Sequence, residues 1–111
     1  MQAFPNNRWY VMSEENQFIV PPSFIALFVP PGRLKPMEPR ETIAERYELC
    51  EDLAQMLTEH ALAKKFELGV AEEDVLERIS AGLRTGGVVT EAEAVWIIRR
   101  LAELLNWPSG G

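Results

Sequence analysis

Hydrophobic positions along this chain follow two regimes. From Arg40 onward they recur every three or four residues between charged ones, the mark of amphipathic helices. Before that they run together, with Phe18-Ile-Val-Pro-Pro-Ser-Phe-Ile-Ala-Leu-Phe-Val-Pro-Pro31 gathering the large apolar residues around two Pro-Pro pairs. Pro22 suits the first turn of a short helix, where its fixed φ is already helical and its missing N–H costs nothing. Phe24, Ile25, Leu27 and Phe28 then surround nearly the whole of that helix, and a helix apolar all round must be buried. Pro30-Pro31-Gly32 ends it. Pro36 and Pro39 keep residues 30–39 extended, because a residue before proline avoids helical angles.

The periodic region predicts three helices. The first runs from about Arg40 to Phe66, about 40 Å at 1.5 Å per residue, with Gly69 just past its end. Ile43, Tyr47, Cys50, Ala54, Leu57 and Ala61 form one stripe on it. Leu49, Leu53, Met56 and His60 form an adjacent one, which predicts a face wide enough for two neighbours. The second covers about Glu72 to Arg84, with Glu72, Glu73 and Asp74 in its first turn and Val75, Leu76, Ile79 and Leu83 facing inward. Gly86-Gly87 stops it. The third opens on a capping box, Thr90 and Glu93, and carries Ala94, Ile97, Ile98, Leu101, Leu104 and Leu105 before ending at Trp107-Pro108. Short turns make consecutive helices neighbours.

These signals predict an all-α fold: a three-helix bundle of one long and two shorter helices, with a proline-bounded apolar arm as a fourth element. No strand pattern or internal repeat is visible. The chain divides into a weakly ordered N-terminal extension (1–17), the apolar proline-rich arm with its short helix (18–37) and the bundle (38–111). Met12-Ser-Glu-Glu-Asn reads as a second start, although Phe4, Trp9 and Tyr10 are more aromatic than a free tail usually is. A chain of 111 residues is one domain by length and can bury roughly 65% of its unfolded surface without a disulfide or metal.

Charge narrows the choice of partner. The net charge of −6 lies almost wholly from Glu38 onward, since residues 1–37 set Arg8, Arg33 and Lys35 against Glu14 and Glu15. An acidic helical body lacks the basic footprint that nucleic-acid backbones or anionic membrane surfaces require. The apolar run is too short and too broken by proline to span a bilayer, and acids rather than bases precede it, so it does not read as a signal peptide. The single cysteine, Cys50, excludes an internal disulfide and suggests a reducing compartment, so a cytoplasmic location is expected.

Chemistry is thin. Cys50 and His60 are the only Cys and His, and they lie about 15 Å apart along one helix, too far to act as nucleophile and base. Leu57 stands where a Glu-x-x-His metal motif would need its acid, so His60 reads as a core-edge residue. Glu41, Glu45, Glu48, Glu51, Asp52 and Glu59 make an acidic face. Such faces are ordinarily solvated, with a basic docking partner or a hard cation as the alternatives. Gly86-Gly87 is followed by Val-Val-Thr, not by the Gly-Lys-Ser/Thr of a phosphate loop. Neither catalytic residues nor a cofactor emerge, and the chain is expected not to be an enzyme.

Two stretches carry a family resemblance. One is Val20-Pro-Pro-Ser-Phe-Ile-Ala-Leu-Phe-Val-Pro-Pro-Gly-Arg-Leu-Lys-Pro36, continuing through Arg46-Tyr-Glu-Leu-Cys-Glu-Asp-Leu-Ala-Gln-Met-Leu57. The other is Gly69-Val-Ala-Glu-Glu-Asp-Val-Leu-Glu-Arg78 with Trp96-Ile-Ile-Arg-Arg-Leu-Ala-Glu-Leu-Leu-Asn-Trp107. Together they resemble a small bacterial family often labelled "ATPase with chaperone activity". The resemblance implies an association with chaperone ATPases, as an accessory, and supplies no catalytic residues. Sequences of that kind tend to have Thr or Ser where this chain has Ala71.

The expected function is a non-enzymatic interaction or adaptor module. Its candidate contact residues are Phe24, Phe28, Arg33, Lys35 and Trp96, the last on the polar side of the third helix beside Glu93, Arg100 and Glu103. The arm either packs on its own bundle, pairs with a second copy in a homodimer, or docks on a foreign protein. The alternative is a small metal- or ligand-binding helical protein using the acidic face.

Overall fold

The structure, a computed structural model, describes residues 10–11 and 19–108. The fold is all-α, with one long helix and three shorter ones among the described residues: α1 (Pro22–Ile25), α2 (Arg40–Leu68), α3 (Glu72–Gly86) and α4 (Glu91–Leu105). A minimal antiparallel ladder, β1 (Tyr10–Val11) with β2 (Ile19–Val20), was not legible as a strand pattern; Tyr10 pairs with Val20 and Val11 with Ile19. Strands of two residues are too short to show an alternation. The expectation of weak order over residues 1–17 otherwise lies outside the described residues, as does the reading of Met12. The chain forms two compact units, Met1–Glu48 and Leu49–Gly111, whose boundary falls inside α2.

In the first unit, Pro21 is the N-cap of α1 and Pro22 opens its first turn. The Pro21 carbonyl accepts from Phe24 N–H (3.0 Å) and Ile25 N–H (3.2 Å). A 3-10 turn, Ala26–Phe28, continues α1 before Val29 turns extended. At Pro30-Pro31-Gly32-Arg33 the Arg33 N–H donates to the Pro30 carbonyl (3.1 Å) while Gly32 takes φ +78°. Proline second and a left-handed glycine third are the requirements of a type II turn. A helix as short as α1 has no stability of its own. It is held through Phe24, which is fully buried, with its ring 5.5 Å from both Phe28 and Tyr47. The arm therefore packs on its own chain at the start of α2.

In the second unit, the rest of α2 joins α3 and α4 in a three-helix core. Ala61 of α2, Val75, Leu76 and Ile79 of α3, and Leu101 and Ala102 of α4 form one buried cluster, with Leu57, Val70, Leu83, Ile98, Leu105 and Trp107 packed around it. The first stripe of α2 is buried as expected, at Ile43, Cys50, Ala54 and Ala61. The adjacent stripe is not. Leu49 and Leu53 are half-buried, and Met56 and His60 are exposed. Cys50, Ala54 and Ala61 are small, so neighbours can approach that stripe closely and packing concentrates there.

The termini follow the chemistry of their residues. α2 and α3 each run two residues further than their expected ends. Gly69 (φ +65°) closes α2, its N–H donating to the Lys65 carbonyl (2.9 Å), and Gly87 (φ +79°) caps α3 in the left-handed region. At α4 the capping box is complete: Glu93 N–H donates to Thr90 Oγ1 (3.0 Å), and Thr90 N–H to Glu93 Oε1 (2.9 Å). Asn106 (φ 61°) ends α4, and Trp107 N–H donates to the Ala102 carbonyl (2.9 Å), the 6→1 bond of a Schellman ending. Lys65 ties three ends together. It pairs with Glu72 (3.2 Å) across the α2–α3 turn and lies 5.8 Å above the Trp107 ring.

At α3 the cap is missing. Ala71 occupies the N-cap in extended conformation, is exposed, and offers no side-chain acceptor. Ala71→Thr is expected to stabilise the protein by about 0.5–2 kcal/mol, read as a rise in the urea midpoint at unchanged slope. A neutral substitution would show that the first-turn amides are already satisfied by solvent.

Candidate functional site

The candidate contact residues divide between the units. Phe24 and Phe28 meet in the first, but Phe24 is fully buried and presents no surface to a partner; it anchors the arm. Phe28 is half-buried. Its carbonyl accepts from Met37 N–H (2.9 Å), closing a compact loop over residues 28–37. Arg33 and Lys35 sit in this loop, where every residue from 31 to 41 is exposed. Between them Leu34 is 96% exposed, and Met37 at the loop's end is 64% exposed. Trp96, in the second unit, is half-buried on α4.

Sequence reasoning missed Leu34 and Met37. The available signal was a leucine between two cations inside a proline-fenced stretch, where no helical or strand face could bury it. It also missed Leu62 and Phe66, four residues apart on α2 and off both apolar stripes; Phe66 is 91% exposed.

The acidic face of α2 is smaller than its composition suggests. Glu51 leaves it to receive Arg100 of α4 in a two-pronged pair, Nε to Oε1 at 2.9 Å and Nη2 to Oε2 at 3.0 Å, while Arg100 Nη1 reaches Glu103 at 3.1 Å. Hydrogen bonding to Glu51 holds the Arg100 proton more firmly than usual; burial opposes this and Glu103 reinforces it. The shift is upward, so its contribution to stability is present below the ordinary arginine range and is lost only in extreme alkali. Among the described residues no group of three His, Cys, Asp or Glu side chains is placed to hold a metal ion.

Comparison of the chain with known protein families, curated proteins and solved structures finds no match. The reading therefore rests on the chain's own surface.

A second feature lies between α2 and α3 of the second unit. A groove of about 440 Å³ has Leu57, Leu68, Val75, Ile79 and Leu83 among its lining residues, with His60, Lys64, Arg78 and Gly82 completing it. The cationic side chains at its edge are open to solvent, at 43% for Lys64 and 57% for Arg78, as is Leu68 at 44%. Cys50 is buried and forms no disulfide, whereas His60 is exposed on this groove, so the only Cys and His do not share a site. Among the described residues no helix is long and apolar enough to cross a membrane.

Proposed function

We propose that this chain is a non-enzymatic protein-contact module, an adaptor that docks through the loop of residues 28–37. The observation that carries this is Leu34, almost wholly exposed between Arg33 and Lys35 on a backbone held by three prolines, the Gly32 turn and the Met37–Phe28 hydrogen bond. Proline and turn chemistry lower the entropy that ordering a loop costs on binding, so an apolar tip held out in this way is preorganised for contact. Two flanking cations favour an acidic rim on the partner. The family resemblance suggests a chaperone ATPase as the class of that partner. Self-association into a homodimer is the other form the contact can take, and exposed Phe66 supplies apolar surface for it.

The test is paired capture from native lysate with the wild-type chain and a variant carrying Arg33→Glu, Leu34→Ser and Lys35→Glu. All three positions are exposed, so the variant should keep its thermal midpoint. It should lose a defined partner by about tenfold or more, the scale of an interfacial anchor. Identical capture by both proteins would remove the loop from the interface. The separation of Cys50 from His60 supports the non-enzymatic reading. Purified protein is expected to hydrolyse no ATP above a mock preparation. Turnover abolished by changing one of its own lysines would overturn that reading.

The metal reading of the acidic α2 face gains no support from geometry, given the Glu51–Arg100 pairing and the lack of a three-ligand group among the described residues.

A further inference from the structure

The α2–α3 groove combines an apolar floor with a cationic lip in a protein that carries 17 acids against 11 Lys and Arg. Leu57, Val75, Ile79 and Leu83 are buried or half-buried and form the floor. Among the described residues, His60, Lys64 and Arg78 are the polar side chains of the lining, and no carboxylate lines it. The acids paired with Lys64 and Arg78 hold them loosely. Glu67 is 3.8 Å from Lys64 and Asp74 is 3.7 Å from Arg78, both on exposed faces of the same helix as their partner. Exposed pairs at such distances contribute little and exchange readily for a better acceptor.

We propose that this groove binds a small amphiphile with an anionic head and an apolar tail, the tail along the floor and the head between Lys64 and Arg78. Charge complementarity selects the head: a cationic lip on an acidic molecule repels cationic amphiphiles and rewards anionic ones. The groove of about 440 Å³ lies within the range of small-molecule sites, about 300–1,000 Å³. Apolar walls with a few convergent polar groups are the usual make-up of such sites. This inference is independent of the loop proposed above, which belongs to the other compact unit.

Gly82 offers a clean way to close the groove. It lies on α3 with ordinary helical φ, and a Cβ built there meets no atom within 4 Å. Gly82→Leu therefore places a good helix former where its Cβ meets open space, adds bulk to the groove lining and leaves the net charge of the lip unchanged. Lys64→Glu with Arg78→Glu reverses the lip at exposed positions and leaves the floor intact.

The test is calorimetric titration of the full chain with laurate below its micellar concentration, with acetate, dodecanol and dodecylamine as head-only, tail-only and reversed-charge controls. Saturable binding of laurate at one site is expected, with each variant weaker by about tenfold or more, the scale of losing one charge-assisted contact or the tail's enclosure. Circular dichroism and thermal midpoints of the variants should match or exceed those of the wild type. Three results would overturn the proposal: no saturable laurate binding, equal binding by Gly82→Leu, or equal affinity for dodecylamine. If a variant unfolds, Gly82→Ala, which removes less space, should give an intermediate loss, and its failure to weaken binding counts equally against the groove.

Discussion

Phe24→Ala is expected to destabilise the protein by about 3–5 kcal/mol, the usual loss for truncating a fully buried phenylalanine. For a domain near this size that is a fall in Tm of roughly 12–20 °C. The size of the effect follows from what the ring holds. α1 is one turn long, carries no side-chain cap and cannot persist unaided. Its position depends on the Phe24 ring meeting Phe28 and Tyr47, each at 5.5 Å, and each such aromatic pair adds about 0.5–1.5 kcal/mol beyond area burial. Phe24→Leu keeps most of the volume and should cost less than half as much. Calorimetry of the three proteins decides the matter. A loss under about 1 kcal/mol for the alanine variant would show that the arm does not rest on this residue. Because the contact loop begins at Phe28, the alanine variant should also weaken partner capture, whereas the loop variant should weaken capture alone.

Leu101→Ala should cost about 2–5 kcal/mol, toward the upper part of that range. The cost of a cavity depends on how far the walls can collapse, and two of the residues clustered with Leu101 are Ala61 and Ala102, whose methyl groups cannot reach into the space. Val75, Leu76 and Ile79 are held by α3 and can shift only with the helix. Native proteins are stable by only about 5–15 kcal/mol, so this one substitution can bring the domain close to unfolding at ambient temperature. Urea titration should show a lower midpoint with unchanged slope, and Leu101→Met should cost less than about 1.5 kcal/mol. Equal losses for both substitutions would mean that shape rather than volume governs the site.

The helices and their ends were legible because they are local. Thr90 and Glu93 lie three residues apart, and their reciprocal bonds need nothing beyond the first turn of α4. Gly69 and Gly87 announce helix ends because few other residues accept the left-handed region, and Pro22 announces a start because its φ is fixed. The buried stripes of α3 and α4 follow from 3.6-residue periodicity alone. What depended on distant parts of the chain was hidden. Glu51 looked like one acid among six until Arg100, 49 residues away, was brought to it. The outer stripe of α2 looked fit for a neighbour, but close packing went to the side where Cys50, Ala54 and Ala61 leave room. Phe24 looked like contact surface and proved to be an anchor, while Leu34, passed over in the sequence, stands exposed. Periodicity shows which residues share a face. Whether that face is covered is decided by which other elements arrive there, and that depends on the shape and charge of surfaces far apart in the chain.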